Sequence, residues 1–345
     1  MKKVLHIGSD SVHLSSFITN MSSFPLEQYL LSEDLCTFEN VAYAYRVNFR
    51  SKNPLDIFHN NIAVSRLLKA LQPDFIHIHQ VNRLAYFVAR AAKKQGIPII
   101  TTAWGSDVLL VPQQSKFFRY LVCKTLQRSA LVTADSKHMI EAMHALVPSN
   151  NKYQWVQYGI DPIASEQAKE KLIFSNRLHR PLYRIDQIIQ YFADFAKNHP
   201  DWKLVIAGSG TDTEALQTLA EEIIPANQYE FVGWLKGEEN HAWYKKAAIY
   251  VSLPNSDGTS VSLLEAMSAG CFPVVSELPV SHEWIEHGKN GVIERAGVNP
   301  LEEAVNLLDT GFALANKNRM DELAAKAVTK KLFYDLYLRL EDAQA

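Results

Sequence analysis

Cysteine is scarce in this chain. Cys36, Cys123 and Cys271 are its only three in 345 residues, and they lie far apart. No CxxC pair is present, which argues against a disulfide framework or a zinc ribbon and fits a reduced, cytoplasmic setting. Long apolar runs are also missing. None approaches the roughly 18 residues a membrane-spanning helix needs, and the apolar stretch behind Lys2 and Lys3 is too short for a secretory signal core. Charge of one sign is absent as well: 35 Lys and Arg against 37 Asp and Glu leave a net charge of −2, so no whole-chain basic field points to nucleic acid. The chain holds no GxGxxG loop. It also holds no Asp-x-Asp, the carboxylate pair that commonly clamps a divalent metal on a diphosphate, so metal ligation is not expected.

What is present is a globular composition, 47% apolar and 21% charged, at a length that fits about two domains. Short apolar runs alternate with helical patterns. KKVLHIG (2–8), FIHIHQ (75–80), PIITTAWG (98–105) and ALVTADS (130–136) read as buried strands, and helical spacing of Val64, Leu67, Leu68 and Leu71, then of Leu84, Phe87, Val88 and Ala91, lies between them. The pattern restarts with KLIFSN (171–176), KLVIAGSG (203–210), YEFVGWL (229–235), AIYVSLP (248–254), FPVVSE (272–277) and GVIE (291–294). Near-continuous apolar strands separated by amphipathic helices predict parallel sheets covered on both faces. The polar stretch 157–171 carries Pro162 and reads as a hinge. The expected fold is α/β: two doubly wound, Rossmann-like parallel-sheet domains facing across a cleft, over 1–158 and 159–330, with a C-terminal helix over 331–345 crossing back to the first.

The chemistry concentrates in SDGTSVSLLEAM (256–267). Gly258 permits backbone angles that other residues avoid, Ser260 is a good helix N-cap, and the free amides at 259–262 with the helix dipole favour a phosphate. Glu265 lies more than a turn into the helix, too deep for a cap. It reads either as an acceptor for ligand hydroxyls or as a salt-bridged structural acid. Arg177 directly follows a buried strand, with Arg180 and Arg184 beside it. A planar, permanently charged fork suits phosphate, and a surface loop arginine is the alternative. Asp107, after Gly105 in TTAWGSDVL, reads equally as an acceptor for a sugar hydroxyl or as a helix cap. Gly8 after the first strand, and Gly208 and Gly210 in GSG, resemble the starts of nucleotide loops without completing one.

Three further features carry alternatives. His13 reads as a helix-start residue or a catalytic one. His77 and His79 share one strand face, but metal binding needs a third ligand and none is spaced for it, so buried or cleft-lining histidines are the simpler reading. SKFFRYLVCKTLQR (115–128) mixes Lys116, Arg119, Lys124 and Arg128 with Phe117, Phe118 and Leu121. It suits a membrane surface, or more simply an amphipathic helix packed on the first sheet.

The ordered string from Asp257 to Glu265, then AMSAGCFPVV and WIEHGKNGVI, resembles the signature of glycosyltransferase family 4, retaining enzymes of the GT-B fold. The similarity takes in Arg177, IAGSG, VGWL and YGID and runs over nearly the whole chain. The resemblance implies transfer of a sugar from a nucleotide diphosphate sugar to an acceptor hydroxyl with retention, a phosphate oxygen taking the acceptor's proton. It implies Glu265 on the ribose hydroxyls and Asp257 on the transferred sugar. Backbone amides near Gly258, Thr259, Ser260 and Val261 then lie on the sugar and distal phosphate, and Arg177 on the diphosphate. Gly208, Gly210, Val232 and Gly233 fall near the base. Three departures stand out: Asp257 replaces the usual Glu, Leu182 stands where a lysine is usual so that Arg180 or Arg184 would supply the charge, and Trp104 stands where many members carry histidine. The implied partners are a nucleotide-sugar donor and a glycan or lipid-linked acceptor of a cell-surface glycan pathway, with peripheral contact at the inner membrane face left open, no nucleic acid and no metal or other cofactor. A sugar-nucleotide epimerase of the same fold and a non-catalytic sugar-binding protein are the competing readings.

Overall fold

The computed structural model describes residues 1–34, 38–149, 151–165, 167–308 and 311–342, so Cys36 and the last three residues lie outside it. The chain divides into two compact units. Unit 1 comprises Met1–Tyr158 with Thr329–Ala345, and unit 2 comprises Gly159–Val328.

Unit 1 is a seven-stranded sheet of β1 (Lys2–Ile7), β2 (Leu26–Ser32), β3 (Tyr43–Arg46), β4 (Phe75–His79), β5 (Ile99–Thr102), β6 (Leu131–Ala134) and β7 (Tyr153–Trp155), in the order β3-β2-β1-β4-β5-β6-β7. Every neighbouring pair is parallel. Four of these strands are legible as apolar runs. Three are not: β3 is mostly exposed, β7 has three residues, and β2 mixes Glu27 and Gln28 into its run. These are placed by pairing with a neighbour rather than by their own pattern. One face of the sheet packs Ile76 and Ile78 on Val64 and Leu68 of the helix before β4 (Pro54–Leu71) and on Leu84 and Val88 of the helix after it (Arg83–Lys94). The other packs Val4, Phe17 and Phe75 on Phe333, Leu336, Tyr337 and Leu340 of the helix Lys326–Asp342.

Unit 2 is a six-stranded parallel sheet of β8 (Glu170–Ser175), β9 (Lys203–Ala207), β10 (Tyr229–Gly233), β11 (Ala247–Ser252), β12 (Phe272–Val275) and β13 (Val292–Ile293), in the order β10-β9-β8-β11-β12-β13. Its core sets Ile173, Leu204, Ile206, Ile249 and Val274 against Ile185, Ile188, Ile189 and Phe192 of the helix Ile185–Ala196, whose 3.6-residue spacing exposes one apolar stripe to the sheet. In both units successive strands grow outward in one direction from the first strand and then in the other. The order reverses between β1 and β4 and between β8 and β11, and such a reversal parts the flanking loops at the carboxyl edge into a crevice.

Candidate active site

The reversal in unit 2 decides which loops meet. β8 pairs with β11, with Phe174 opposite Tyr250, so the residues that follow each strand emerge side by side. Arg177 comes from one loop, and Asp257 to Ser260 from the other. Arg177 Nη2 donates to Asp257 Oδ2 at 2.7 Å, and Nη1 donates to Ser260 Oγ. The guanidinium stacks 4.5 Å from the Tyr183 ring centroid and is only 9% exposed. Burial works against its charge, but Asp257, Tyr250 and Tyr183 outweigh that and hold its pKa above the ordinary arginine value. Arg177 is therefore a fixed, charged fork and not a surface loop residue.

Ser260 caps the helix Val261–Ser268, its Oγ accepting from Leu263 N at 3.4 Å. Thr259 is buried and its hydroxyl accepts from Trp284 Nε1 at 3.2 Å, which fixes the loop. Gly258 is buried and does not use left-handed angles, so the conformational freedom expected of it is not drawn upon. A pocket lies against this loop, lined by Asp257 to Ser260, Leu263, Val275 and Trp284.

Glu265 lies one turn further along. Burial pushes its carboxyl up to about 7, against the opposing pull of the Tyr244 hydroxyl and Lys326 and with Asp161 adding to the rise. No ion pair within 4 Å is recorded for it among the described residues, so a salt-bridged structural acid does not describe it. Behind it, Asn176 Nδ2 donates to Tyr244 Oη at 2.7 Å, and Tyr250 Oη donates to Asn176 Oδ1 at 3.1 Å. Sequence reading missed Asn176, Tyr183, Tyr244 and Tyr250. Asn176 had a usable signal, since it immediately precedes Arg177 at a strand end. The tyrosines had none.

Gly208 and Gly210 have a reason in packing. A Cβ on Gly208, which has φ of +113°, would lie 2.4 Å from Arg177 O, and one on Gly210 would lie 2.2 Å from His179 O. The GSG turn thus lies directly on the backbone that carries Arg177, and His179 N donates to Ser209 O at 3.2 Å. Val232 is the extra residue of a bulge between Phe231 and Gly233, and Gly233 is exposed at φ +71°.

Other candidates lie elsewhere. Arg184 makes a bidentate pair with Glu294 at 2.8 and 2.9 Å, so its charge is balanced away from Arg177, while Arg180 is exposed. Of the two arginines expected to stand in for the lysine, Arg184 is thus already paired. In unit 1, Asp107 is 2% exposed. Its Oδ2 accepts from Val81 N at 2.7 Å and its Oδ1 from Trp104 N at 3.0 Å; it lies inside the helix Ser106–Leu109, which has no side-chain cap, so it ties two loops together and does not cap the helix. Burial pushes its carboxyl up to about 6, and the amides from Val81, Trp104 and Gly105 pull it back. Gly8 is buried where a Cβ would meet Leu14 Cδ2 at 2.6 Å. His13 is the second residue of the helix Val12–Met21, and its ring meets Trp104 and Tyr158 edge-on.

The structure also supplies the third histidine that spacing did not. His6 on β1 pairs in register with His77 on β4, and one nitrogen from each of His6, His77 and His79 lies within 4.8 Å of the others. Hydrogen bonds already engage most of these nitrogens. Gln28 Nε2 donates to Ile18 O, which turns Gln28 Oε1 toward His6 Nε2 at 3.1 Å and puts the proton on that nitrogen. His6 Nδ1 then accepts from His79 Nε2 at 3.0 Å, and His77 engages Tyr337 Oη and Thr102 Oγ1. Burial lowers His6 to about 4 and holds His77 and His79 well below the ordinary value, so all three are neutral core residues.

Known proteins resemble this chain in sequence and in fold. Residues 160–327 match the family model for glycosyl transferases group 1, and residues 3–136 match that for glycosyl transferase 4-like proteins. N-acetyl-alpha-D-glucosaminyl L-malate synthase of Bacillus anthracis is 23% identical over 255 residues, 68% of this chain and 65% of that protein. Alpha-monoglucosyldiacylglycerol synthase of Acholeplasma laidlawii is 22% identical over 162 residues, 46% of this chain and 41% of that protein. The chain thus spans less than two thirds of either relative's length. Anabaena HepE, solved with UDP-glucose, superimposes at a TM-score of 0.81 with 12% identity, covering 98% of this chain and 100% of HepE. Matched over nearly all of both units, the chain belongs to the group 1 glycosyl transferases and has the GT-B fold.

Proposed function

We propose that this chain transfers a sugar from a nucleotide diphosphate sugar to an acceptor hydroxyl, with retention of anomeric configuration, in the assembly of a cell-surface glycan or glycolipid. The observation that carries this reading is the convergence of Arg177 and Asp257 on the capped N-terminus of the helix Val261–Ser268. A diphosphate leaving group gathers negative charge as its bond to the sugar breaks. A rigid arginine fork and helix-terminal amides stabilise that charge without reorganising. The acceptor attacks on the face the diphosphate leaves, and its proton passes to a phosphate oxygen, so no strong protein base is needed. Glu265 accepts from the ribose hydroxyls, and Asp257 from the sugar. With Arg177 supplying the cation, no metal is required. HepE was solved with UDP-glucose, and the Acholeplasma relative is named for making a glycosyldiacylglycerol, which supports both the donor and the acceptor class.

A thermal-shift panel of UDP, GDP, ADP and dTDP sugars identifies the donor. On that donor, Arg177→Ala is expected to cut turnover by more than about tenfold, the loss of a charged contact of about 1.4 kcal/mol or more. Chelator should leave turnover unchanged, and the product should keep the donor's anomeric form by NMR. Wild-type turnover in the variant removes Arg177 from the reaction, a strict metal requirement removes the arginine account, and an inverted product removes retention.

A further inference from the structure

Glu265 stands half-buried on the helix Val261–Ser268, with no ion pair within 4 Å among the described residues. A carboxylate so placed needs a hydrogen-bond donor, or it takes up a proton and stops accepting on that oxygen. The donor it has is a phenol: the Tyr244 hydroxyl is hydrogen-bonded to it.

The direction of that bond follows from the groups behind it. Asn240 Nδ2 donates to Leu235 O at 3.3 Å, which turns Asn240 Oδ1 toward Asn176 Nδ2 at 2.9 Å. Tyr250 Oη donates to Asn176 Oδ1 at 3.1 Å, so it is Asn176 Nδ2 that donates to Tyr244 Oη at 2.7 Å. Both protons of that amide are engaged, one on Asn240 and one on Tyr244. The Ser262 hydroxyl acts on the same phenol oxygen in the same sense as Asn176. Tyr244 Oη thus accepts from behind, and its own single proton is left for Glu265.

Tyr244 is also held in place. Its ring is fully buried and meets Phe174 and Tyr250 edge-on at 5.4 and 5.8 Å. At its backbone, Lys169 Nζ donates to Tyr244 O at 2.8 Å and to Ala269 O at 2.7 Å, and Cys271 Sγ donates to Tyr244 O at 3.1 Å. Ala269 is the C-cap of the helix that carries Glu265. One lysine therefore joins the ends of two helices through carbonyls that have no partner within their own helix, and it ties Tyr244 to the element that bears the acid.

From this arrangement we propose that Tyr244 is a positioning residue for nucleotide binding: its hydroxyl donates to one oxygen of Glu265 and holds the carboxylate turned so that its remaining acceptor sites meet the ribose. A phenol suits this task because it lends one proton and no charge. A lysine or arginine there would neutralise the carboxylate and compete with the ligand for both oxygens. Two other charged groups act on Glu265. Lys326 favours its ionised form and Asp161 opposes it, and they pair with each other, so their effects offset. The inference rests on the reading of Glu265 as the ribose acceptor.

The test has two arms. In the first, the ligand-free full chain carries carbon-13 at its glutamate carboxyls and is titrated by NMR, the Glu265 signal being the one lost in Glu265→Gln. Tyr244→Phe keeps the ring and removes the donor, and should raise the Glu265 midpoint by about one pH unit. Site-specific replacement of Tyr244 by 3-fluorotyrosine, a stronger donor of nearly the same shape, should lower the midpoint, and it decides alone if the phenylalanine variant does not fold. In the second arm, calorimetry with UDP, GDP and ADP in turn follows affinity from pH 6 to 8. Tyr244→Phe should bind about fivefold more weakly at pH 7 and recover to within about twofold at pH 8, whereas a packing defect loses the same factor at every pH. A Glu265 midpoint that moves in neither variant, or a loss of affinity equal at every pH, overturns the role of Tyr244. A midpoint that moves while wild-type affinity is the same at every pH overturns the ribose reading, and the positioning role falls with it.

Discussion

Asp257 Oδ2 accepts from Arg177 Nη2 at 2.7 Å, so the acid assigned to the sugar and the cation assigned to the diphosphate neutralise each other across 80 residues of chain. An incoming diphosphate must share or take the arginine from the carboxylate, and a released carboxylate becomes available to a sugar hydroxyl. Asp257→Asn should therefore keep or raise the affinity for the bare nucleoside diphosphate by calorimetry, while turnover falls by more than about tenfold. Weaker diphosphate binding in that variant would contradict the exchange.

Glu265 yields a pH prediction. Its carboxyl sits at about 7 in the folded protein, and ribose hydroxyls donate best to the ionised form. Nucleotide affinity should then rise as pH increases from about 6 to 8, and Glu265→Gln should flatten the profile. The stability sign is opposite: a folded pKa raised above 4.5 means that unit 2 loses stability as pH rises toward 7, because the folded state holds the extra proton. A flat affinity profile in the wild type removes Glu265 from the nucleotide.

Asp107 separates structure from function. Asp107→Ala abandons Val81 N and Trp104 N in a buried setting and should cost about 2–4 kcal/mol. Denaturant unfolding should show that loss while nucleotide affinity at unit 2 is unchanged. A lost affinity without lost stability would restore Asp107 to the ligand.

Gly210→Ala tests how the arginine is held. Its Cβ would meet His179 O at 2.2 Å, a backbone atom that cannot swing aside. The loop bearing Arg177 must shift, and a shift of the order of 1 Å is enough to cost about a hundredfold in turnover. Near-normal turnover would show that the turn does not position Arg177.

The histidine core should make unit 1 acid-labile. His6, His77 and His79 stay neutral when folded but titrate near 6.5 when unfolded, so unfolding takes up three protons, while Asp107, at about 6 when folded, releases one. Between about pH 4 and 6 the net uptake makes the stability of unit 1 fall as the pH is lowered. His79→Gln should reduce that slope by one proton, measured by unfolding across the range. A slope unchanged in that variant would contradict a neutral buried His79.

By itself the sequence determined what is local. Apolar runs of four to six residues marked ten of the thirteen strands, because a strand buried on both faces has no choice of residue. Asp257, Ser260 and Glu265 were placed on a loop and one helix by their spacing, and Arg177 at the end of its strand. What the tertiary structure decided is which of these groups meet. The adjacency of β8 and β11 set Arg177 on Asp257, Glu294 claimed Arg184 from 110 residues away, and β1 brought His6 to His77 and His79. Two backbone amides from separate loops, Val81 N and Trp104 N, took the Asp107 carboxylate. The periodicity of a chain fixes where its side chains point along one element. It holds nothing about the neighbour that will occupy a polar group, because that depends on strand order, which only the closed sheet defines.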